Sequence, residues 1–177
     1  MKTEALEVLK NRRAIRKYKP EQITPEELNA VLEAGTFAPT GKGTQSPVIV
    51  AVQNPEMRER VKKLNAKYVG APDSDPYYGA PTVLIVLYGD AAPSDMLGTL
   101  DCAAVTTNLL NAAYACGLGS CWINRPQQMF EDEEGKQLLR EWGLPDTLKG
   151  VASIALGYAD CEHPAARPRK KDYIKII

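Results

Sequence analysis

The chain has 177 residues, of which 22 are basic and 22 acidic, so its formal net charge is zero. This length predicts a single domain over residues 1–177, and the neutral charge argues against a nucleic-acid-binding protein, which normally carries a basic excess. One histidine and four cysteines without a C-x-x-C pair argue against a zinc site. The start has no apolar run and no apolar stretch reaches about 18 residues, so we predict a cytoplasmic protein without signal peptide or membrane span.

The first predicted elements are two helices followed by a strand. Apolar periodicity over 3–11 predicts a short amphipathic helix. The stretch Thr24-Pro25-Glu26-Glu27 combines a capping threonine, a proline at the first helical position and a glutamate at the third, and it predicts a helix that ends near Gly35. A loop then leads to a buried strand at 48–52, and Asn54 starts another helix.

The second half of the chain alternates strands and helices. Its predicted elements are a proline- and glycine-rich loop at 70–81, a strand at 82–88, a long helix at 96–116, a strand at 120–123, a charged helix at 132–142 and a strand at 151–156. The long helix is apolar on nearly all sides, which predicts a central, buried position. Four apolar residues among the last five, 173–177, predict that the tail pairs with a sheet, which can belong to another subunit.

The loop "APTGKGTQSP" at 38–47 has two glycines around a lysine, as phosphate-binding loops do. A Walker A loop reads G-x-x-x-x-G-K-S/T, whereas five residues separate Gly35 from Gly41 and the lysine is followed by Gly43. A dinucleotide-binding G-x-G-x-x-G pattern lacks its third glycine at Ser46. The loop therefore does not predict a nucleotide P-loop, and by itself it is compatible with a plain helix-to-strand connection.

Two arginine-rich runs are better candidates for holding a phosphate. Arg12, Arg13 and Arg16 lie within five positions, and Arg167 and Arg169 follow the last predicted strand. The planar guanidinium group offers a fork of donors that matches phosphate oxygens. An isolated basic run also fits a solvated helix face, so the runs alone leave both interpretations open.

Taken together, the motifs resemble those of the nitroreductase family of flavoproteins. "NRRAIRKY" at 11–18 is similar to the family's R-R-S-x-R-x-F motif, and "APTGKGTQSP" at 38–47 to its A-P-S-x-x-N-x-Q-P-W loop. "NLLNAAYACGLGSCWI" at 108–123 resembles the central helix and the following strand. "GVASIALGYAD" at 150–160 and "RPRKKDYI" at 167–174 resemble the last strand and basic tail. Four motifs in the family's order span most of the chain.

The resemblance implies both a fold and an activity. The implied fold is α+β, with a central mixed β-sheet flanked by helices and with C-terminal segments exchanged between the subunits of a homodimer. The implied cofactor is FMN, bound at the dimer interface. The implied reaction takes hydride from NADH or NADPH and passes electrons to a nitroaromatic, quinone or similar small acceptor by a ping-pong mechanism. No catalytic side chain is expected, because the flavin carries the chemistry.

The resemblance also places residues at the cofactor. The N-terminal motif would hold the phosphate and the ribityl or ring oxygens, and the tail would close on the phosphate. The loop would line the ring or ribityl chain, and the segment after the long helix would bring backbone near flavin N5. These residues are Arg12, Arg13, Ala14 and Arg16 in the motif, Pro39, Thr40 and Gln45 in the loop, Trp122, Ile123 and Asn124 after the helix, and Arg167 and Arg169 in the tail.

Three departures from the family pattern concern the substrate more than the cofactor. Ala14 replaces the serine of the first motif, Gly43 replaces the loop asparagine, and Ser46-Pro47 replaces Pro-Trp. The loss of the asparagine and tryptophan side chains predicts a more open pocket.

Two other functions remain as alternatives. One is a flavin-binding protein of the same fold with specialised or no NAD(P)H turnover. The other is a module that binds a phosphate ligand or nucleic acid through its basic ends, which the zero net charge and the lack of interleaved aromatic residues disfavour. We therefore expect a small-molecule electron acceptor as partner, and neither nucleic acid nor a membrane.

Four further polar residues have plain structural interpretations. We expect His163 to be a solvated loop residue and Cys121 to be a small buried core residue. Asp101 and Asn108 lie seven positions apart on one face of the long helix. They fit a helix N-terminal charge and a buried, hydrogen-bonded amide, or alternatively contacts with a dimer partner or the sheet edge.

Overall fold

The computed structural model describes residues 3–177 and has a four-stranded β-sheet at its centre. The strands are β1 (Pro47–Val52), β2 (Thr82–Tyr88), β3 (Gly119–Ile123) and β4 (Lys149–Gly157), in the order β1-β2-β4-β3. The α+β fold is confirmed. All three strand pairs are antiparallel, however, and the one parallel pairing among the described residues is an isolated bridge between Ala14 and Ser120. A mixed sheet would therefore need a parallel strand from another segment.

Six α-helices surround this sheet in the described part of the chain. They are α1 (Glu4–Asn11), α2 (Pro25–Thr36), α3 (Pro55–Val69), α4 (Asp95–Ala115), α5 (Pro126–Glu131) and α6 (Glu133–Glu141). The start of α2 confirms its predicted capping: the Thr24 hydroxyl accepts from the Glu27 N–H at 3.2 Å, and the Glu27 carboxylate accepts from the Thr24 N–H at 2.8 Å.

The central strand β2 is buried along its whole length, as its continuous apolar sequence predicts. Successive side chains point to opposite faces of the sheet. Val83, Ile85 and Leu87 belong to one core with α3, α5 and α6, whereas Leu84 and Val86 belong to a second core with α2 and α4. The sheet is therefore covered by helices on both faces.

One side of α4 is not covered. Met96 and Leu100 are more than half exposed, Thr107 is exposed, and Ala103 and Asn111 are half-buried. These five residues recur at helical spacing and form one face, which we call the α4 stripe. The apolar sequence predicts a helix buried on nearly all sides, but within one chain this stripe faces outward.

The sequence did not predict α5, which has only six residues and no side-chain cap. It forms because Arg125 turns the chain with φ at 90° and Pro126 then starts the helix. The helix packs so closely on β4 that a Cβ atom at Gly150 would lie 2.4 Å from the Pro126 carbonyl oxygen.

The C-terminal tail, residues 161–177, is exposed along its length and contains only a short 3₁₀ turn at Lys171–Tyr173. It joins no strand of the described part of its own chain. Within residues 3–177, no helix combines the length and apolar character needed to cross a membrane.

Candidate functional site

The N-terminal basic segment lies along the outer edge of β3. Ala14 bridges Ser120 in parallel, and the Ile15 N–H donates to the Ser120 carbonyl at 3.0 Å. Because the pairing is parallel, Arg12 lies towards the start of β3 and Arg16 towards its end. The approach is close: a Cβ atom at Gly119 would lie 3.0 Å from the Ile15 side chain, which would have to shift slightly.

The three arginines of this segment keep donors available for an anion. Arg13 Nη1 donates to the carbonyls of Lys10 and Arg12, each at 2.7 Å, and its buried Nε has no partner. No carboxylate within residues 3–177 pairs with Arg12, Arg13 or Arg16. The neighbouring Lys17, in contrast, pairs with Asp160 at 2.8 Å. Lys17 is therefore neutralised by a carboxylate, whereas the three arginines beside it are not.

The field of these arginines reaches into β3. Burial raises the pKa of the Cys121 thiol, and the positive charges of Arg16 and Arg12 oppose that rise. Cys121 is 3% exposed and belongs to the core, as the sequence predicts. The guanidinium groups thus lie close enough to stabilise negative charge along this strand.

The far end of β3 brings together the three residues predicted there. Trp122 is half-buried against the α4 side of the sheet, Ile123 is buried on the opposite side, and Asn124 is exposed. The Asn124 carbonyl accepts a hydrogen bond from the side-chain N–H of Asn65 at 2.8 Å. Arg125 follows with a positive φ, a conformation that is costly for a residue with a Cβ atom.

Asn65 is a buried polar residue beneath the end of β3 that the sequence analysis did not single out. It lies on α3, is completely buried, and its carbonyl oxygen has no hydrogen-bond partner in residues 3–177. A buried, unpaired amide oxygen costs free energy unless a ligand or water donates to it. The available signal was a polar residue between Leu64 and Ala66 on the apolar face of a helix.

The loop at 38–47 is held by the long helix. The Gly41 N–H donates to the Asp101 carboxylate at 2.9 Å, and Asp101 is only 5% exposed. The Gln45 N–H donates to the Thr40 hydroxyl at 3.1 Å, while the side chains of Pro39 and Gln45 are exposed. Asp101 is therefore more than a helix N-terminal charge, because it fixes the loop on α4.

Within one chain, this loop and the arginines lie towards opposite ends of α4. The loop is attached at Asp101, whereas Arg13 shares a small cavity of about 110 Å³ with Tyr114 and Gly117. At 1.5 Å per residue, Asp101 and Tyr114 are ~20 Å apart along the helix axis. One chain thus places the arginine segment beside β3, but it does not bring Pro39, Thr40 and Gln45 to Arg13.

The tail starts beside the arginine segment. His163 is exposed, as predicted, and its ring lies 5.5 Å from the Tyr114 ring, at the cavity that Arg13 also lines. Arg167 and Arg169 follow on exposed backbone, and Arg169 donates to the Arg167 carbonyl. Neither has a carboxylate partner among residues 3–177. Both keep guanidinium donors that no carboxylate of the described residues occupies.

A larger cavity of about 740 Å³ lies elsewhere, between the start of α4, α5 and the start of β4. Tyr88, Leu100, Phe130 and Val151 line it, and none of the predicted site residues does. In the described part of the chain, no group of three His, Cys, Asp or Glu side chains is placed to hold a metal ion.

The fold and the arginines define an α+β protein with a cationic edge beside β3 that no carboxylate of residues 3–177 neutralises. The chain belongs to the nitroreductase family, because the family model described as "Nitroreductase family" matches residues 9–158. The resemblance inferred from the motifs is therefore confirmed.

Solved and curated relatives agree with this assignment. The chain is similar to a Bacteroides fragilis NCTC 9343 nitroreductase, solved with bound FMN, at a TM-score of 0.84 and 33% identity, covering 99% of this chain and 100% of the other. A protein of Methanothermobacter thermautotrophicus is 30% identical over 174 residues, 97% of this chain and 83% of its own. The NADPH-flavin oxidoreductase of Vibrio harveyi is 25% identical over 178 residues, 97% of this chain and 72% of its own.

Proposed function

We propose that this protein is an FMN-dependent oxidoreductase that takes hydride from NADH or NADPH and passes electrons to a small acceptor. The observation that carries the proposal is the set of unpaired arginines along β3 in a chain of the nitroreductase family. Two relatives support the cofactor and donor, since one was solved with FMN and the other is named an NADPH-flavin oxidoreductase. The four free cysteines fit the reducing cytoplasm, which we propose as its location.

The residues beside β3 suit the parts of FMN in order. Arg12, Arg13 and the backbone at Ala14 would hold the phosphate, and Arg167 and Arg169 would close on it from the tail. Several guanidinium groups around a dianion form charge-assisted hydrogen bonds, which are the stronger kind.

The parallel register places Arg16 nearer the ring end of the same ligand. There Trp122, Ile123 and Asn124 would lie against the ring.

When bound, FMN would accept hydride from NAD(P)H and return electrons to a nitroaromatic, quinone or similar acceptor in a ping-pong sequence. The chain's own contribution is binding and electrostatics. Arg16 would stabilise negative charge at the pyrimidine edge of the ring, and backbone N–H groups at the end of β3 would polarise it. We assign no side-chain acid or base, since water can supply the protons.

We propose that the site is completed in a homodimer. The α4 stripe, which is apolar from Met96 to Ala103 and polar but uncharged at Thr107 and Asn111, is a face that one chain leaves open. Two copies of α4 packed antiparallel along this stripe would place the Asp101 end of one helix beside the Tyr114 end of the other. Pro39, Thr40 and Gln45 of one subunit would then approach the arginine segment of its partner.

The tail would strengthen the same dimer. Tyr173, Ile174 and Ile176 are at least 71% exposed, and β1 is an edge strand with one unpaired side. Each apolar side chain buried against a second copy would contribute about 1.5–3 kcal/mol. We therefore propose that the tails are exchanged between subunits.

A spectrum of the purified protein mixed with FMN tests the proposal directly. We expect a yellow dimer whose flavin absorbance is bleached by NADH or NADPH under anaerobic conditions. Initial rates measured over a range of NADH or NADPH concentrations, at several fixed concentrations of a quinone or a nitroaromatic compound, should give parallel double-reciprocal lines. Ping-pong kinetics require this pattern. A colourless protein that cannot be reconstituted with FMN would refute the function.

The same experiment separates the second candidate. Gly43 is exposed, and a Cβ atom there would meet nothing within 4 Å, so the loop leaves open space where the family carries an asparagine. This openness fits an unusual acceptor or a specialised flavin reaction. FMN binding without turnover of either nicotinamide with any acceptor would favour this candidate.

A further inference from the structure

Three fully buried polar side chains lie beneath the end of β3. Asn65 comes from α3, Tyr77 from the loop before β2, and Ser153 from β4. Their exposed fractions are 0%, 2% and 0%. Polar groups at such depth are costly unless they are hydrogen-bonded, so their arrangement has to be explained.

The three side chains form one hydrogen-bonded chain with a consistent direction. An Asn65 side-chain N–H donates to the Tyr77 hydroxyl at 3.3 Å, and the Tyr77 and Ser153 hydroxyls are 3.1 Å apart. The Ser153 hydroxyl donates to the Ile123 carbonyl at 3.3 Å. Tyr77 therefore donates to Ser153, because the Ser153 proton is already used. Burial raises the pKa of Tyr77, which keeps its hydroxyl protonated as a donor.

The loop that carries Tyr77 is itself fixed. The two oxygens of the Asp75 carboxylate accept the backbone N–H groups of Tyr77 at 2.9 Å and Gly79 at 2.7 Å. This Asx turn directs the Tyr77 ring into the core rather than into solvent. The turn at Asp75 thus fixes the position of the Tyr77 hydroxyl near the end of β3.

The network holds two consecutive carbonyl groups, those of Ile123 and Asn124. Ser153 binds the first and Asn65 the second, so both carbonyls face the buried network. In a trans peptide the C=O and the following N–H point in opposite directions within one plane. The N–H groups of Asn124 and Arg125 must therefore face away from the network.

We propose that Tyr77 and Ser153 are positioning residues that direct the Asn124 and Arg125 N–H groups toward the flavin ring. This inference rests on the proposed function and adds to it the side chains that orient the two backbone donors. Consecutive carbonyls of an extended strand point in alternating directions. Two that face the same way show that the backbone leaves the extended conformation at the end of β3. The positive φ of Arg125 occurs at this departure. Donors fixed in advance need no reorganisation when charge develops on the ring.

Tyr77→Phe tests the proposal, since it removes the hydroxyl and keeps the ring. Ser153→Ala interrupts the same chain one bond closer to β3. The matched control is Tyr158→Phe, which removes a tyrosine hydroxyl bound to Glu27 rather than to this network. The first readout is amide hydrogen exchange of residues 123–125 in protein without FMN. The second is the flavin midpoint potential and the rate of flavin reduction by NADH in the loaded protein.

We expect both network variants to exchange the Ile123 amide about tenfold faster, because the end of β3 loses one of the hydrogen bonds that hold it on β4. The amides of Asn124 and Arg125 should exchange fast in every variant without FMN, because they face the empty ligand side. Flavin reduction should slow about tenfold and the midpoint potential should fall, while FMN affinity stays within about threefold because the arginines are untouched. The control should match the parent protein in every readout.

Unchanged exchange and unchanged potential in both variants would overturn the proposal, as would equal effects in Tyr158→Phe. If Tyr77→Phe fails to fold, Ser153→Ala decides the question alone. If the parent protein binds no FMN, the proposed function fails, and the exchange measurement still decides whether the network fixes this backbone.

Discussion

The two sides of β3 are built in different ways. Beneath the end of the strand lies a network of hydrogen bonds that joins Asn65, Tyr77 and Ser153 to one another and to the backbone. Of the side-chain polar atoms of these three residues, only the Asn65 carbonyl oxygen has no partner among residues 3–177. Along the outer edge, the arginines have no carboxylate partner, and the tail beyond them is exposed. The chain thus completes the inner side by itself and leaves the outer side to a ligand and a second copy.

The largest expected effect concerns the second copy. Ile174→Asp combined with Ile176→Asp should raise the dimer dissociation constant at least ~100-fold, because two apolar side chains that we expect to be buried become charged. Sedimentation equilibrium measures this change. Lys175→Asp is the control: it lowers the net charge by the same amount as the double change, but at a polar position of the same tail. It should leave the dimer nearly intact. Equal weakening by both changes would contradict a buried, exchanged tail.

The next effect concerns the contact between Arg16 and the flavin. Arg16→Ala should weaken FMN binding about 10- to 100-fold, since it removes charge-assisted hydrogen bonds and a nearby positive charge. Fluorescence titration with FMN measures the affinity. Lys17→Ala is the control, because Lys17 is already paired with Asp160 on the surface and should be almost neutral. If both alanines weaken FMN equally, general charge rather than the β3 register sets the affinity.

A smaller effect should follow from loosening the loop. Asp101→Ala leaves the Gly41 N–H without its acceptor and should raise the acceptor KM about tenfold with little change in FMN affinity. Asp101→Asn keeps an oxygen acceptor and should restore most of the loss. Asn108→Ala removes a different hydrogen bond of α4, the one that Asn108 donates to the Ala34 carbonyl of α2. This change should not raise the acceptor KM. A KM that is unchanged in Asp101→Ala would show that the loop does not line the pocket.

The smallest effect distinguishes the two loop glycines. Gly43 has φ at +68°, so Gly43→Ala should lower the free energy of unfolding by about 1 kcal/mol. Gly41 does not have a positive φ and its added Cβ atom would sit 3.5 Å from Leu97, an ordinary contact, so Gly41→Ala should be near neutral. Urea denaturation at one protein concentration measures both. Gly43→Asn should cost less than alanine, since asparagine tolerates this conformation.

The sequence offered candidates for the outer edge of β3 and none for the inner side. Arg12, Arg13 and Arg16 in one short run fitted either a solvated helix face or an anion, and the other family motifs favoured the anion. Asn65 and Tyr77 carried no such signal, because their roles depend on which strand end lies above them. The spacing of the loop residues did not reveal that the loop and Arg13 lie at positions of α4 that are ~20 Å apart in one chain.

Local chemistry in the sequence determined the helix starts, the buried run of β2 and the arginine clusters. The capping box at Thr24 and the continuous apolar run of β2 involve residues that are close in the chain, so the sequence shows them directly. Only the tertiary structure decided that the sheet of one chain is antiparallel, that α5 forms, and that one stripe of α4 stays open. These features depend on long-range packing and on the planar geometry of particular peptides, which no short stretch of sequence contains.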